Sequence, residues 1–277
     1  MPIVFPFRHQ MRLAARRAAL LGASTLVWFA AAASASAETA LQPGEEFTYS
    51  VRWAVLPNAG QIRISAVQEV VDGTPQLSIT THTETRGVAR GLIAFEARSE
   101  SLFDVPTGRL VSLRESSVAR AKRVDYSVEF DYTTGHALFT GKGSETPRTL
   151  DLPEGDPADL ITTLMKTRLW DLQVGDARDV LVSFRDDFYL LTVYALHQER
   201  VRTPLGEFDT IVIEPRMEKS PPKGMFKRGA HVKVWVSRDA ARLPVRFQVA
   251  AKVGTGVATL VKYSPPDTAD VRTAADE

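Results

Sequence analysis

The residues best suited to do chemistry at neutral pH are the five histidines, because imidazole is the side chain that both titrates there and binds metals. His9 belongs to the N-terminal leader described below. His82 and Glu84 stand two apart in a segment of alternating polarity, so both point to one face, as a metal-binding pair would. Ser78 and Thr80 share that face, no third ligand lies nearby in sequence, and a metal site needs three or four. The pair therefore reads as the wet side of a hairpin. His136, His197 and His231 have no histidine or carboxylate at a ligand spacing and read as surface residues. Cysteine is absent, which removes disulfides, thiol catalysis, iron–sulfur clusters and cysteine-bound zinc together. The G-x-S-x-G elbow of serine hydrolases is also missing. Gly141-Lys142-Gly143-Ser144 lacks the spacing and the following helix of a phosphate loop, and reads as a hairpin connection. Asp125, Glu129 and Asp131 alternate along one strand, while Asp186-Asp187 falls at a turn; these are carboxylates of wet faces and turns before they are glycosidase acids. No cofactor is expected, and the balance leans away from an enzyme.

The leader itself carries an address. Arg8, Arg12, Arg16 and Arg17 precede an apolar run through Leu26-Val27-Trp28-Phe29, and Ala35-Ser36-Ala37 supplies a small-x-small cleavage site. Residues 1–37 thus read as a secretory signal peptide, with Met11 as an alternative start and Arg16-Arg17 pointing weakly to the twin-arginine route. No cysteine follows to carry a lipid anchor. The expectation is a protein exported to the periplasm of a Gram-negative bacterium and soluble after cleavage. The whole chain has 34 basic and 33 acidic residues. Without the four leader arginines 30 basic residues face those 33 acids, so the exported part lacks the basic excess of a nucleic-acid binder. With 44% apolar and 24% charged residues, the chain is neither disordered nor a polytopic membrane protein.

The remaining chain, 38–264, reads as a single β-rich domain followed by a polar, flexible tail at 265–277. Phe47, Tyr49, Val51, Trp53 and Val55 alternate with Thr48, Ser50 and Arg52, the period of a half-buried strand. Ile62, Ile64 and Ala66 repeat it, and Val71-Asp72-Gly73-Thr74 supplies a turn before Leu77 and Ile79. Further strands are expected near 93–104, 109–119, 122–132, 136–140, 179–185, 188–200, 207–215, 231–237, 243–251 and 256–263. One segment breaks the period. Asp156 as cap, Pro157 at the first helical position and Leu160, Ile161, Leu164, Met165, Leu169 and Trp170 at 3–4 spacing predict one amphipathic helix over 157–171. The fold class is therefore mainly β: one large curled antiparallel sheet of twelve or thirteen strands, open or closed like a barrel, with the helix packed on its concave face.

Three sets of residues stand out on this frame. Trp53, Phe95, Phe103, Leu164 and Trp170 all fall at inward positions and are candidates to line an apolar cavity, although the same positions would equally serve a solid core. Lys223, Met225, Phe226, Lys227 and Arg228 form a basic loop with Met and Phe at its tip, stiffened by Pro221-Pro222. Such a loop is suited to an anionic membrane surface or a partner groove, or its Phe folds back on the core. The glycine-punctuated stretch from Arg86 to Ile93 is apolar where a polar turn is expected, and reads as the mouth of a cavity or a bulged strand edge.

The order of these signals is itself informative. Leu41-Gln42-Pro43-Gly44-Glu45-Glu46-Phe47-Thr48-Tyr49-Ser50-Val51-Arg52-Trp53, Ala59-Gly60, Asp156-Pro157, Gly206-Glu207-Phe208-Asp209-Thr210, Val234-Trp235-Val236-Ser237-Arg238-Asp239 and Arg242-Leu243-Pro244-Val245 resemble the bacterial family known as domain of unknown function 3108. The resemblance spans about 41–263 and implies an exported envelope protein, with no catalytic residues to carry over. At the level of architecture alone, a curved sheet with helical cover is similar to the periplasmic lipoprotein carriers, whose concave face holds acyl chains. The favoured expectation is a non-enzymatic binder of a lipid-like ligand or of a lipidated or peptide partner. The rivals are a solidly packed scaffold and, last, a glycan-acting hydrolase with facing carboxylates. The oligomeric state is left open.

Overall fold

The structure is a computed structural model, and its description covers residues 39–143, 146–223, 226, 229–252 and 254–267. The expected signal peptide, the tail beyond 267, and Met225, Lys227 and Arg228 lie outside the described residues.

Fourteen strands form one antiparallel sheet. They are β1 (Glu46–Trp53), β2 (Leu56–Val71), β3 (Thr74–Thr85), β4 (Phe95–Asp104), β5 (Leu110–Ala119), β6 (Lys122–Asp131), β7 (His136–Gly141), β8 (Arg148–Asp151), β9 (Ala177–Phe184), β10 (Asp187–Thr203), β11 (Gly206–Arg216), β12 (His231–Ser237), β13 (Pro244–Ala251) and β14 (Gly254–Ser264). A short helix α1 (Gly87–Leu92) joins β3 to β4, and α2 (Leu160–Lys166) lies between β8 and β9. Every neighbour in the sheet is a neighbour in sequence except one pair: β1 lies against β14, with Phe47 opposite Tyr263 and Trp53 opposite Gly256. Two-residue turns make the meander easy to form. Val71 pairs with Thr74 across Asp72-Gly73, both at positive φ, as a twist-matched hairpin requires. Bulges at Thr48/Tyr49, Leu102/Phe103, Ala195/His197 and Trp235/Val236 add local twist and bend the strands.

The curl does not close, because β8 and β9 never pair. Chain between them dives inward instead. Ala158 forms a parallel bridge to Val182 on β9, accepting from Ser183 N at 2.9 Å, so the free edge of β9 is capped rather than left as a template for aggregation. Across the gap, Arg148 on β8 pairs with the Asp186 carboxylate and also donates to the Asp186 carbonyl at 3.1 Å. The rings of Phe130 and Phe188 meet there with centroids 6.3 Å apart.

The helix differs from the sequence expectation in start and length. Because the Ala158 backbone is committed to β9, helical geometry cannot begin at Pro157, and the cap is Asp159 instead of Asp156. Asp159 Oδ1 accepts from Ile161 N at 2.9 Å and Thr162 N at 3.0 Å, while Oδ2 accepts from Ser101 Oγ on β4 at 2.7 Å. One side chain thus both caps the helix and fixes it to the sheet. After Lys166 the coil tightens into a 3-10 turn, Thr167–Leu169, where Thr167 Oγ1 donates back to Leu164 O at 2.7 Å. The helix is buried on more than one side, as the plug of a curl must be. Met165 packs with Phe47, Tyr49 and Phe103, whereas Leu164 packs with Val193, Ile213 and Val234.

Below α2 the start of β1 and the end of β14 are locked together. The guanidinium of Arg168 forms a two-pronged pair with Glu45, at 3.0 and 2.9 Å, and donates to the Ala241 carbonyl at 3.1 Å. Glu45, only 1% exposed, also accepts from Gln42 N and from the Tyr263 hydroxyl, each at 2.8 Å. That lock sits at the lower rim. By the antiparallel register, the upper rim holds the β1–β2 turn, α1, and the β5–β6, β9–β10, β11–β12 and β13–β14 connections.

Candidate apolar cavity at the upper rim

The strand pattern leaves the inner face unfilled in two adjoining places. The outer chamber, about 430 Å³, lies under α1 and is walled by Val51, Trp53, Leu56, Ala59, Thr85, Ala89, Leu92, Ile93 and Phe95. The inner chamber, about 160 Å³, lies between α2 and the sheet and is walled by Tyr49, Ile62, Ile64, Leu160, Leu164, Val232, Phe247 and Val249. Val51 and Trp53 belong to both walls. Pockets that hold small molecules run from about 300 to 1,000 Å³ and are mostly apolar, so the outer chamber alone is of ligand size.

Local chemistry explains why the space is there. Glycine at 256 on β14 lets the Trp53 indole approach: a Cβ there would stand 2.8 Å from the ring. Gly60 is equally constrained, since a Cβ would meet the Glu84 carbonyl at 2.6 Å. The α1 roof is pinned at its ends and by one long bond from the Arg90 guanidinium to the Thr85 carbonyl at 3.4 Å. Arg86 N donates to Ala59 O at 2.9 Å; the Thr85 hydroxyl donates to Ile93 O at 2.8 Å and accepts from Phe95 N at 2.9 Å. None of the residues of α1 is buried. Gly87 takes φ +52°, a left-handed conformation that lets the chain turn out of β3.

The polar groups at the mouth are already satisfied. Glu84 is held below the usual carboxylate range, first by its hydrogen bond from Arg86, whose Nε lies 2.8 Å away. Deeper in, the Tyr49 hydroxyl donates to the Pro244 carbonyl at 2.9 Å, and burial raises its pKa well above that of free tyrosine. An interior lined this way favours an apolar guest.

The five expected cavity residues divide. Trp53, Phe95 and Leu164 line the chambers. Phe103 is fully buried among Leu77, Ile79 and Leu113, with the Lys166 ammonium 5.5 Å from its ring centre. Trp170 falls beyond α2, half-buried against the cluster of Leu164, Leu172 and Val193, with the Arg178 guanidinium 5.4 Å from its ring centre. In the expected basic loop, Phe226 is half-buried and packs against the strand cluster of Val182, Tyr189 and Leu191. Lys223 pairs with Asp187. The glycine-punctuated stretch, read in sequence as a mouth or a bulge, is the helical roof of the outer chamber. Ala89 falls within that stretch, whereas Leu56 and Ala59 were not read as cavity residues in sequence, and their place beside a turn carries no signal that would have marked them.

Among the described residues, no three His, Asp or Glu side chains come together as a metal site. Four of the five carboxylates weighed as acids are engaged elsewhere, Asp186 with Arg148 and Asp187 with Lys223. Asp125 is bound by Arg123 at 2.8 Å, and Asp131 accepts from the backbone of Thr133 and Thr134. Both are pushed below the usual carboxylate range, Asp125 first by its hydrogen bond from Arg123 and Asp131 first by one from the Thr134 side chain and then by those backbone bonds, the opposite of what a general acid needs. His82 lies 3.2 Å from Glu96 across the hairpin.

Fold and cavity define a class: β-barrel-like proteins built on one open, curled antiparallel sheet. Within it, the chain belongs to the family described as "Protein of unknown function (DUF3108)", whose family model matches residues 48–261. Among solved structures it is similar to a beta-barrel-like protein of domain of unknown function DUF1849 from Brucella abortus. The TM-score is 0.53 at 12% identity, covering 82% of this chain and 100% of that one. At that identity the likeness concerns the fold alone. Comparison with curated proteins gives no match.

Proposed function

We propose that this protein is an exported, non-enzymatic binder of a lipid-like apolar ligand, whose chain enters the outer chamber under α1 and reaches past Val51 and Trp53 toward α2. The observation that carries the reading is the pair of adjoining apolar chambers sharing those two residues. A solid scaffold has no reason to leave such space, since interiors otherwise pack to crystal density. Export to the periplasm is supported by the leader sequence with its arginines, apolar run and Ala35-Ser36-Ala37 site. The ionised, Arg86-paired Glu84 at the mouth and the roof without buried residues support entry from the upper rim.

The test is uptake of a fluorescent fatty acid by residues 38–277. Saturable binding that is lost in Val51→Phe, which narrows the wall common to both chambers, supports the proposal. Binding unaltered by Val51→Phe, or none by the unchanged chain, refutes it.

A further inference from the structure

We infer that the upper rim docks on an anionic membrane surface, with Val55 and Val88 entering the acyl region beside the cavity mouth. The inference rests on the proposed ligand class, because a rim that opens on an apolar chamber gains by meeting the bilayer that supplies its guest. Four connections meet at this mouth. Ala54 N donates to Thr255 O at 2.9 Å, joining the β1–β2 turn to β14, and Arg120 N donates to Ala94 O at 2.9 Å, joining the β5–β6 turn to the end of the α1 connection.

Two properties coincide on these connections. The first is apolar exposure: Val55 is 89% exposed, Val88 72% and Leu92 62%, far beyond what a solvated turn and a helix without a buried face require. The second is charge of one sign. Residues 54–55, 86–94, 120–121 and 252–253 contain Arg86, Arg90, Arg120 and Lys252 and no Asp or Glu. Arg86 is spent on Glu84, but Arg120 and Lys252 have no carboxylate partner among the described residues. The single-sign charge is confined to these four connections: farther round the same rim the β9–β10 and β11–β12 connections carry Asp186 and Glu218, and the opposite rim has Asp72, Glu154 and Asp156 beside Arg109, which pairs with Asp156 at 3.1 Å. Apolar side chains ringed by unpaired cations match an anionic interface, whose headgroups meet the cations while the valines enter the acyl boundary. A protein groove would have to supply both acid and an apolar socket; a bilayer of anionic lipid presents both everywhere.

The experiment is co-sedimentation of residues 38–277 with phosphatidylglycerol-containing vesicles and with pure phosphatidylcholine vesicles, at low and high salt. The expected result is binding to the anionic vesicles, weakened by salt and by roughly tenfold or more in either Val55→Asp/Val88→Asp or Arg120→Glu/Lys252→Glu. Arg120→Glu/Lys252→Glu lies outside both the cavity wall and the α1 roof, so with that pair uptake of the fatty-acid probe in vesicle-free solution stays at its original level. Equal binding to both vesicle types, or binding untouched by either pair, overturns the inference. So does concentration-dependent self-association of the unchanged chain that Val55→Asp/Val88→Asp abolishes without any vesicle binding, which would make the rim a contact between copies. Failure of probe uptake with vesicle binding intact would instead remove the ligand reading and leave the docking surface standing.

Discussion

The indole of Trp53 passes so close to Gly256 that a Cβ on that residue would stand 2.8 Å from ring atom Cε3 and 2.9 Å from Cζ3. The two residues are also opposite each other in the β1–β14 ladder, the pairing that joins the two ends of the meander. The seam that holds the curl together is thus also the wall of the cavity.

Gly256→Ala should therefore push the indole out of place. Because ring and backbone are both packed, the cost is expected at about 1–3 kcal/mol, as for other overpacked sites. Chemical denaturation reads the stability, and fatty-acid uptake should fall at the same time. A Gly256→Ala protein with full stability and full uptake would show that the close approach is incidental.

Arg168 and Glu45 form a pair in which Glu45 is 1% exposed at its side chain and Arg168 12%. Removing one partner strands the other. Arg168→Met is expected to cost about 3–5 kcal/mol, and the double change with Glu45→Gln less than the sum of the two single changes. Urea unfolding of the four proteins of this cycle measures the coupling; additive losses would mean that the pair does not act as a unit.

Alkaline pH should weaken the same region. Burial, with the hydrogen bond to Glu45 next, raises the pKa of Tyr263 to about 12, and burial raises Tyr132 to about 12, whereas an unfolded tyrosine titrates near ~10. Between those values the folded state holds more protons than the unfolded one, so stability is fully present below about pH 10 and falls as pH rises toward 12. Thermal melts across this range should show the decline, with a shallower slope in Tyr263→Phe. A melting temperature flat to pH 11 (about one unit above the free tyrosine pKa) would contradict the assignment.

Asp159→Ala removes the cap of α2 together with its bond to Ser101. The expected loss is about 1–2 kcal/mol, and because Leu160, Ile161 and Leu164 wall the inner chamber, ligand affinity should drop with it. Asp156→Ala, at the residue that sequence alone marks as the cap, should cost no more than its exposed pair with Arg109 at 3.1 Å, which is under about 1 kcal/mol.

That contrast shows where sequence was and was not enough. The alternation of Phe47, Tyr49 and Val51, and the Asp72-Gly73 turn, are local signals, and the strands follow them. The start of α2 is not local: Asp156-Pro157 is a good helix opening until Ala158 is taken by β9, twenty-four residues later in the chain. The β1–β14 pairing is a long-range one that no pattern within either strand specifies. Helix α1 was hidden because Gly87 and Gly91 within its six residues lower helix propensity, and at under two turns its apolar Val88, Ala89 and Leu92 are too few to establish a helical period. Trp170 does pack half-buried against the cluster of Leu164, Leu172 and Val193, but the chain leaves α2 at Lys166 and the indole lies beyond the chambers, with Arg178 over its ring. Trp53, Phe95 and Leu164 were legible because strand and helix periods put them on the concave side.

The most direct test of the central claim is native mass spectrometry of residues 38–277 purified from periplasm, followed by organic extraction of whatever co-purifies. The account predicts a stoichiometric adduct that extracts as a lipid and is lost in Val51→Phe. A clean apo mass, with no uptake from added lipid, would contradict it.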